Sequence, residues 1–120
     1  MNSLEELRDA VRVFVDERDW AQFHTPKNIA MALTVEAAEL QEHFQWLTAE
    51  QSEALSEDAR AAVADELADV QVYLVRLADR LGIDLLDACA RKLEKNRAKY
   101  PVELARGRAT KYTELGQGES

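Results

Sequence analysis

The sequence predicts an all-α fold, a four-helix bundle, on three observations. Only 4 Gly and 2 Pro occur in 120 residues, which leaves little turn chemistry for an all-β fold. Ala, Leu, Glu and Arg dominate, and these are residues that cost least inside a helix. Apolar side chains also recur at threes and fours through four separate stretches, the period of amphipathic helices joined by short connections.

The first helix opens at Ser3, with Glu6 three residues on as a capping box. Leu4, Leu7, Val11 and Phe14 form its apolar stripe. The pattern loosens at Asp19-Trp20-Ala21-Gln22-Phe23-His24, a connecting loop rich in aromatics. Thr25-Pro26 reads as an N-cap with proline at the first helical position. The second helix is expected to run to about Trp46, with Ile29, Leu33, Leu40, Phe44 and Leu47 inward. Its alanines, among them Ala30, Ala32, Ala37 and Ala38, permit close approach of a neighbouring helix. Thr48 and Gln51 can cap one short turn.

The third helix begins after Ser56. Val63, Leu67, Val70, Leu74, Leu77 and Leu81 make a bundle seam. Val72 and Val75 extend the apolar surface around the helix. A helix this apolar in so short a chain is central, or shared with a second copy, and a homo-oligomer is expected. Gly82 suits its C-cap. Asp84 opens the fourth helix, with Leu85, Leu86, Cys89 and Leu93 inward, and Pro101 stops it. Residues 1–101 are thus read as the bundle domain. Residues 102–120 are read as a mixed tail with Arg106, Arg108 and Lys111, whose last five residues are expected to be disordered.

Bulk properties narrow the function. At 47% hydrophobic and 32% charged, the chain has the makeup of one globular domain. A net charge of −8 argues against a nucleic-acid partner, which calls for a basic stripe. The single cysteine, Cys89, excludes an internal disulfide framework and suits a cytoplasmic location. No signal peptide is evident at the start, and no apolar run approaches the ~20 residues that span a bilayer.

Chemistry concentrates in two acidic pairs. Glu36 and Glu39 lie three apart on the second helix, and Glu66 and Asp69 three apart on the third, so each pair shares a helix face. A lone Glu-x-x-Glu is ordinarily a solvated face. Two such pairs, each flanked by apolar residues, place four mutually repelling carboxylates near a core, where charge requires compensation. A hard divalent cation is the simplest source. Histidine and cysteine ligands suited to zinc or copper are missing at these positions. A di-iron bundle would need Glu-x-x-His twice.

These residues resemble a known family. Glu36-Ala-Ala-Glu39-Leu-Gln-Glu42, followed after roughly thirty residues by Glu66-Leu-Ala-Asp69-Val-Gln-Val-Tyr73-Leu, is similar to the MazG-like nucleoside triphosphate pyrophosphohydrolases. Lys92-Leu-Glu-Lys95-Asn96-Arg-Ala-Lys99-Tyr100-Pro101 looks like the family's closing helix signature. Arg18-Asp19-Trp20-Ala-Gln22-Phe23-His24 and Phe44-Gln45-Trp46 point to the branch that includes dCTP pyrophosphatase. The likeness covers about residues 4–101. Many members carry Glu directly before the first metal-binding Glu, where this chain has Val35, a departure shared by that branch.

The resemblance implies cleavage between the α- and β-phosphates of a (d)NTP, giving the monophosphate and pyrophosphate. dCTP or a related pyrimidine nucleotide is the leading substrate. It implies magnesium, with manganese able to substitute, held by Glu36, Glu39, Glu66 and Asp69, and a general base drawn from Glu36 or Glu39. It implies nucleobase contacts from His24, Trp46 and Tyr73 and phosphate contacts from Lys92, Asn96, Lys99 and Tyr100. It also implies sites formed between subunits, with a homotetramer expected ahead of a dimer. The tail from Arg106 to Lys111 either closes over the triphosphate or is a simple chain end. A non-enzymatic helical interaction module, or the same chemistry on another base, is the competing reading.

Overall fold

In a computed structural model, which describes residues 1–115, each of the first five α-helices begins where a short polar side chain can satisfy its first free amides. Ser3 Oγ accepts from Glu6 N at 3.1 Å and opens α1 (Leu4–Glu17). The expected capping box is only half made. The Glu6 carboxylate reaches past the cap and accepts from Asn2 N at 2.8 Å. Thr25 Oγ1 accepts from Asn28 N at 3.1 Å and opens α2 (Pro26–Glu42), with Pro26 in the first turn. At Thr48 the box is complete. Its hydroxyl accepts from Gln51 N at 3.1 Å, and Gln51 Oε1 accepts from Thr48 N at 3.0 Å, starting α3 (Ala49–Ser52). Ser56 caps α4 (Glu57–Leu81) and Asp84 caps α5 (Leu85–Lys99) in the same way. Among the described residues no strand is present, so the all-α expectation holds and all four expected long helices are found.

One expectation about an element end is corrected. The second helix stops at Glu42, four residues short of Trp46. Phe44 N and Gln45 N both donate to the Gln41 carbonyl, and Leu47 N donates to that of Phe44 at 3.0 Å. These tightened turns bend the chain toward the extended Thr48 cap and throw Trp46 outward, 87% exposed. After Pro101 the chain forms α6 (Val102–Ala105) and a 3-10 turn at Tyr112–Glu114. The last five residues lie outside the described ones.

The chain divides into two units, the first Met1–Ile83 and the second beginning at Asp84. In the first, α4 is the axis against which α1 and α2 both pack. Val15 and Ile29 are the most completely buried side chains, with Val63, Val75 and Ala78 alongside. Burying each valine or isoleucine contributes about 1.5–3 kcal/mol. α4 ends at Gly82, whose φ of 67° is left-handed, with Ile83 N donating to Ala78 O at 2.8 Å. Glycine takes this backbone without the Cβ clash that other residues meet.

The predicted α4 seam is only partly internal. Val63 is buried, but Leu67, Leu74 and Leu81 are 53%, 36% and 52% exposed. The reason is that α1 and α2 flank α4 without covering the positions spaced seven apart along it. In the second unit, α5 holds an Arg91–Asp87 ion pair one turn apart. Beyond it, Tyr112 stands edge-on to Tyr100 at 6.0 Å, and Lys99 Nζ lies 4.8 Å from the Tyr112 ring centre.

Candidate active site

The acidic pairs become a cluster because each glutamate shares a helix face with a core residue. Glu36 lies two turns after buried Ile29 on α2, and Glu66 lies one turn after buried Val63 on α4. When these apolar faces pack together, the carboxylates are carried in with them. Glu36, Glu39 and Glu66 each offer an oxygen, and these oxygens lie within 4.8 Å of one another. All three side chains are half-buried.

The electrostatics of this trio are unbalanced. Glu36 Oε2 and Glu66 Oε2 are buried and accept no hydrogen bond, although orphaned buried acceptors are uncommon. Burial pushes the Glu36 carboxyl up to about 7, and the adjacent Glu39 and Glu66 carboxyls and the charge of Asp69 push in the same direction. An all-oxygen donor set with two unsatisfied lone-pair carriers fits a hard divalent cation, whose charge would offset the repulsion. Glu36, Glu39 and Glu66 are the residues that would hold it. Asp69, one turn beyond Glu66, is not in the trio at this separation, but it is close enough for its charge to act on Glu36.

Asp69 also lines a cavity of about 460 Å³ with His24, Tyr73, Trp20, Phe14 and Arg76. The loop after α1 builds its aromatic wall. Trp20 N donates back to Val15 O at 3.0 Å, and the Trp20 ring meets Phe14 edge-on at 5.6 Å. Asp19 takes a positive φ of 53° to make this turn. His24 Nδ1 accepts from Arg76 Nε at 3.2 Å, and Arg80 Nε donates to the His24 carbonyl at 3.0 Å. Desolvation first, then the charges of Arg76 and Arg80, lower the His24 pKa, so the ring is neutral at pH 7.

Two of the three residues expected at a base, His24 and Tyr73, therefore share one cavity with Asp69. Trp46 does not line it and stands in solvent on the α2–α3 connection. On α5, Lys92, Lys99 and Tyr100 are exposed, and Asn96 is half-buried, with its carbonyl accepting from Tyr100 N at 2.8 Å. Sequence reasoning missed Trp20, Phe14 and Arg76 as cavity walls. The aromatic density of residues 19–24 was the available signal for Trp20. Arg76 gave none, because a lone arginine on a helix reads as solvated.

The MazG-like family model matches residues 31–115. dCTP pyrophosphatase 1 of Bos taurus is 47% identical over 118 residues, which is 97% of this chain and 70% of that protein. Its Homo sapiens counterpart is 46% identical, over 97% of this chain and 69% of that one. A crystal structure of a pyrophosphatase from Archaeoglobus fulgidus superposes with a TM-score of 0.77 at 44% identity, over 81% of this chain and 91% of that one. With three carboxylates of its acidic pairs meeting on packed helices and the likeness running over most of its length, this chain belongs to the MazG-like family.

Proposed function

We propose that this protein is a nucleoside triphosphate pyrophosphohydrolase that cleaves the α–β phosphoanhydride of a (d)NTP, with dCTP or a related pyrimidine nucleotide the leading substrate. The observation that carries the reading is the Glu36–Glu39–Glu66 trio with its two unpartnered buried oxygens. It lies in a chain 47% identical to a dCTP pyrophosphatase. A structural surface cluster would leave those oxygens to water, so the trio counts against a non-enzymatic interaction module.

Magnesium, with manganese as substitute, is the cation proposed for Glu36, Glu39, Glu66 and Asp69, because hard oxygen ligands shared with phosphates suit it. When bound, it supplies the positive charge that lets a polyanionic triphosphate approach these carboxylates and that favours ionisation of the attacking water. A carboxylate of the α2 pair, Glu36 or Glu39, accepts the proton of that water. His24 and Tyr73 are assigned to the nucleobase from their place in the 460 Å³ cavity. Trp46 is assigned by its exposed ring, available to stack on a base once the site is assembled. Lys92, Asn96, Lys99 and Tyr100 are assigned to phosphate oxygens, the lysines as compact point charges.

We place the site in a homotetramer, ahead of a dimer, in the cytoplasm. The uncovered Leu67, Leu74 and Leu81 support self-association. Among the described residues no helix is long and apolar enough to cross a membrane. The deciding experiment is pyrophosphate release from a panel of dNTPs and NTPs, with magnesium and with EDTA. Metal-dependent release favouring one base establishes the activity and its substrate class. No release by folded, oligomeric protein would favour the interaction module instead.

A further inference from the structure

A run of charged groups leads from the exposed side of α1 into the cavity wall, and the hydrolytic trio does not need it. Arg12 grips Asp79 with both arms, Nε donating to Oδ2 at 2.7 Å and Nη2 to Oδ1. Asp79 sits one turn beyond Arg76 on α4, its Oδ2 3.6 Å from Arg76 Nη1. Arg12 holds the Asp79 carboxyl below its usual range, so Asp79 stays ionised. Arg76 is only 7% exposed, and its Nε donates to His24 Nδ1 at 3.2 Å. Arg80 fixes the backbone of the same histidine from one turn further along. A buried guanidinium is costly unless its charge is matched and its donors used. Asp79 matches the charge, and His24 takes one donor.

The chemistry of the contact decides the state of the ring. Guanidinium carries donors and no acceptor, so Nδ1 of His24 has to accept, which leaves the imidazole proton on Nε2. Protonating Nδ1 would set one N–H against another beside two arginines. We propose that Arg76, held by Asp79 and Arg12, is a positioning residue that fixes His24 as the Nε2–H tautomer, and that this donor selects a nucleobase bearing a carbonyl oxygen. Cytosine, uracil, thymine and guanine qualify. Adenine has no carbonyl and can offer this donor only a ring nitrogen, so it is the base expected to be disfavoured. The selection half rests on the cavity being the base pocket of the activity proposed above; the tautomer half does not.

Two readouts separate these halves. Long-range ¹H–¹⁵N NMR of the histidine rings reads the tautomer without substrate. Wild-type His24 is expected as Nε2–H alone at neutral pH, and the Arg76→Met variant as a mixture with Nδ1–H. Steady-state kinetics on dCTP and dATP then reads selection. In Arg76→Met the dCTP to dATP ratio of kcat/KM should fall about tenfold, the worth of one lost hydrogen bond, through KM rather than kcat. Asp79→Asn, which leaves Arg76 in place but loosens it, should shift both readouts in the same direction by less. Wild-type His24 found as Nδ1–H, or Arg76→Met with tautomer and ratio unchanged, overturns the proposal. Wild-type protein that hydrolyses no nucleotide overturns the functional reading and the selection half together, while the NMR spectrum still judges Arg76.

Discussion

Glu36 on α2 and Glu66 on α4 face a common space with one oxygen apiece, Oε2, buried and without a hydrogen bond. This pairing of two starved acceptors across a helix interface gives the first unit its main electrostatic tension. Burial and neighbouring carboxyls raise Glu36 from 4.5 to about 7. The same packing that forms the core therefore holds a carboxyl partly protonated at neutral pH.

The pH dependence of stability follows in two limbs of opposite sign. A raised acid binds its proton more tightly when folded, so its contribution is full below the unfolded pKa near 4.5 and is lost as pH rises through about 7. Asp79 is lowered from 3.8, chiefly by its hydrogen bond from Arg12, so its contribution is present above that value and lost as pH falls through its folded pKa. Metal-free protein should therefore melt at a lower temperature at pH 8 than at pH 5.5. Magnesium should remove most of that difference. A scanning calorimetry series with and without EDTA would expose the error if the two pH values melted alike.

Removing one glutamate should separate chemistry from fold. Glu39→Ala is expected to lower metal-dependent pyrophosphate release by on the order of 100-fold or more, since even residues that only support ligands change activity 10–100-fold. Helical circular dichroism should be unchanged, because Glu39 is half-buried and carries no core packing. Isothermal titration with magnesium would show the weakened site directly. Retained turnover would take Glu39 out of the metal set.

The uncovered leucines of α4 make a sharp prediction about assembly. Leu74→Glu places a charge between Leu67 and Leu81, and should shift the protein toward monomer in sedimentation velocity. An unchanged oligomer would mean that association uses another surface. Because the site is proposed to form between subunits, dissociation should also lower turnover.

Gly82→Ala tests the end of α4. Nothing lies within 4 Å of a Cβ at this position, so any cost comes from the left-handed φ of 67° and not from a clash. The expected destabilisation is about 1 kcal/mol, a fall in Tm of ~4 °C for a domain of this size. A neutral substitution would mean that the turn relaxes to another conformation.

Much of this architecture was legible before any coordinates. Caps at Ser3, Thr25, Ser56 and Asp84, the stop at Gly82 and the i,i+3 acidic pairs are local signals. They depend on neighbours within one turn, so the sequence states them directly. The family resemblance carried by residues 36–42, 66–74 and 92–101 was equally readable, since it lies in the identities of residues along the chain and needs no packing. The half-made cap at Glu6 and the early stop at Glu42 were missed by small margins, where two local bonding options compete for the same groups.

What the tertiary structure decided is which groups meet and which remain exposed. Only the packing of α2 on α4 could show that Glu36 and Glu66 lose their water while Asp69 also borders a cavity. Only the packing of α1 on α4 could turn Arg76, an ordinary helical arginine by pattern, into a buried partner of His24. Periodicity names a face but does not say how much of it a neighbour will cover, and so Leu67, Leu74 and Leu81 looked internal. Helix propensity and capping act within a few residues, whereas desolvation and charge pairing depend on distances set by the whole first unit.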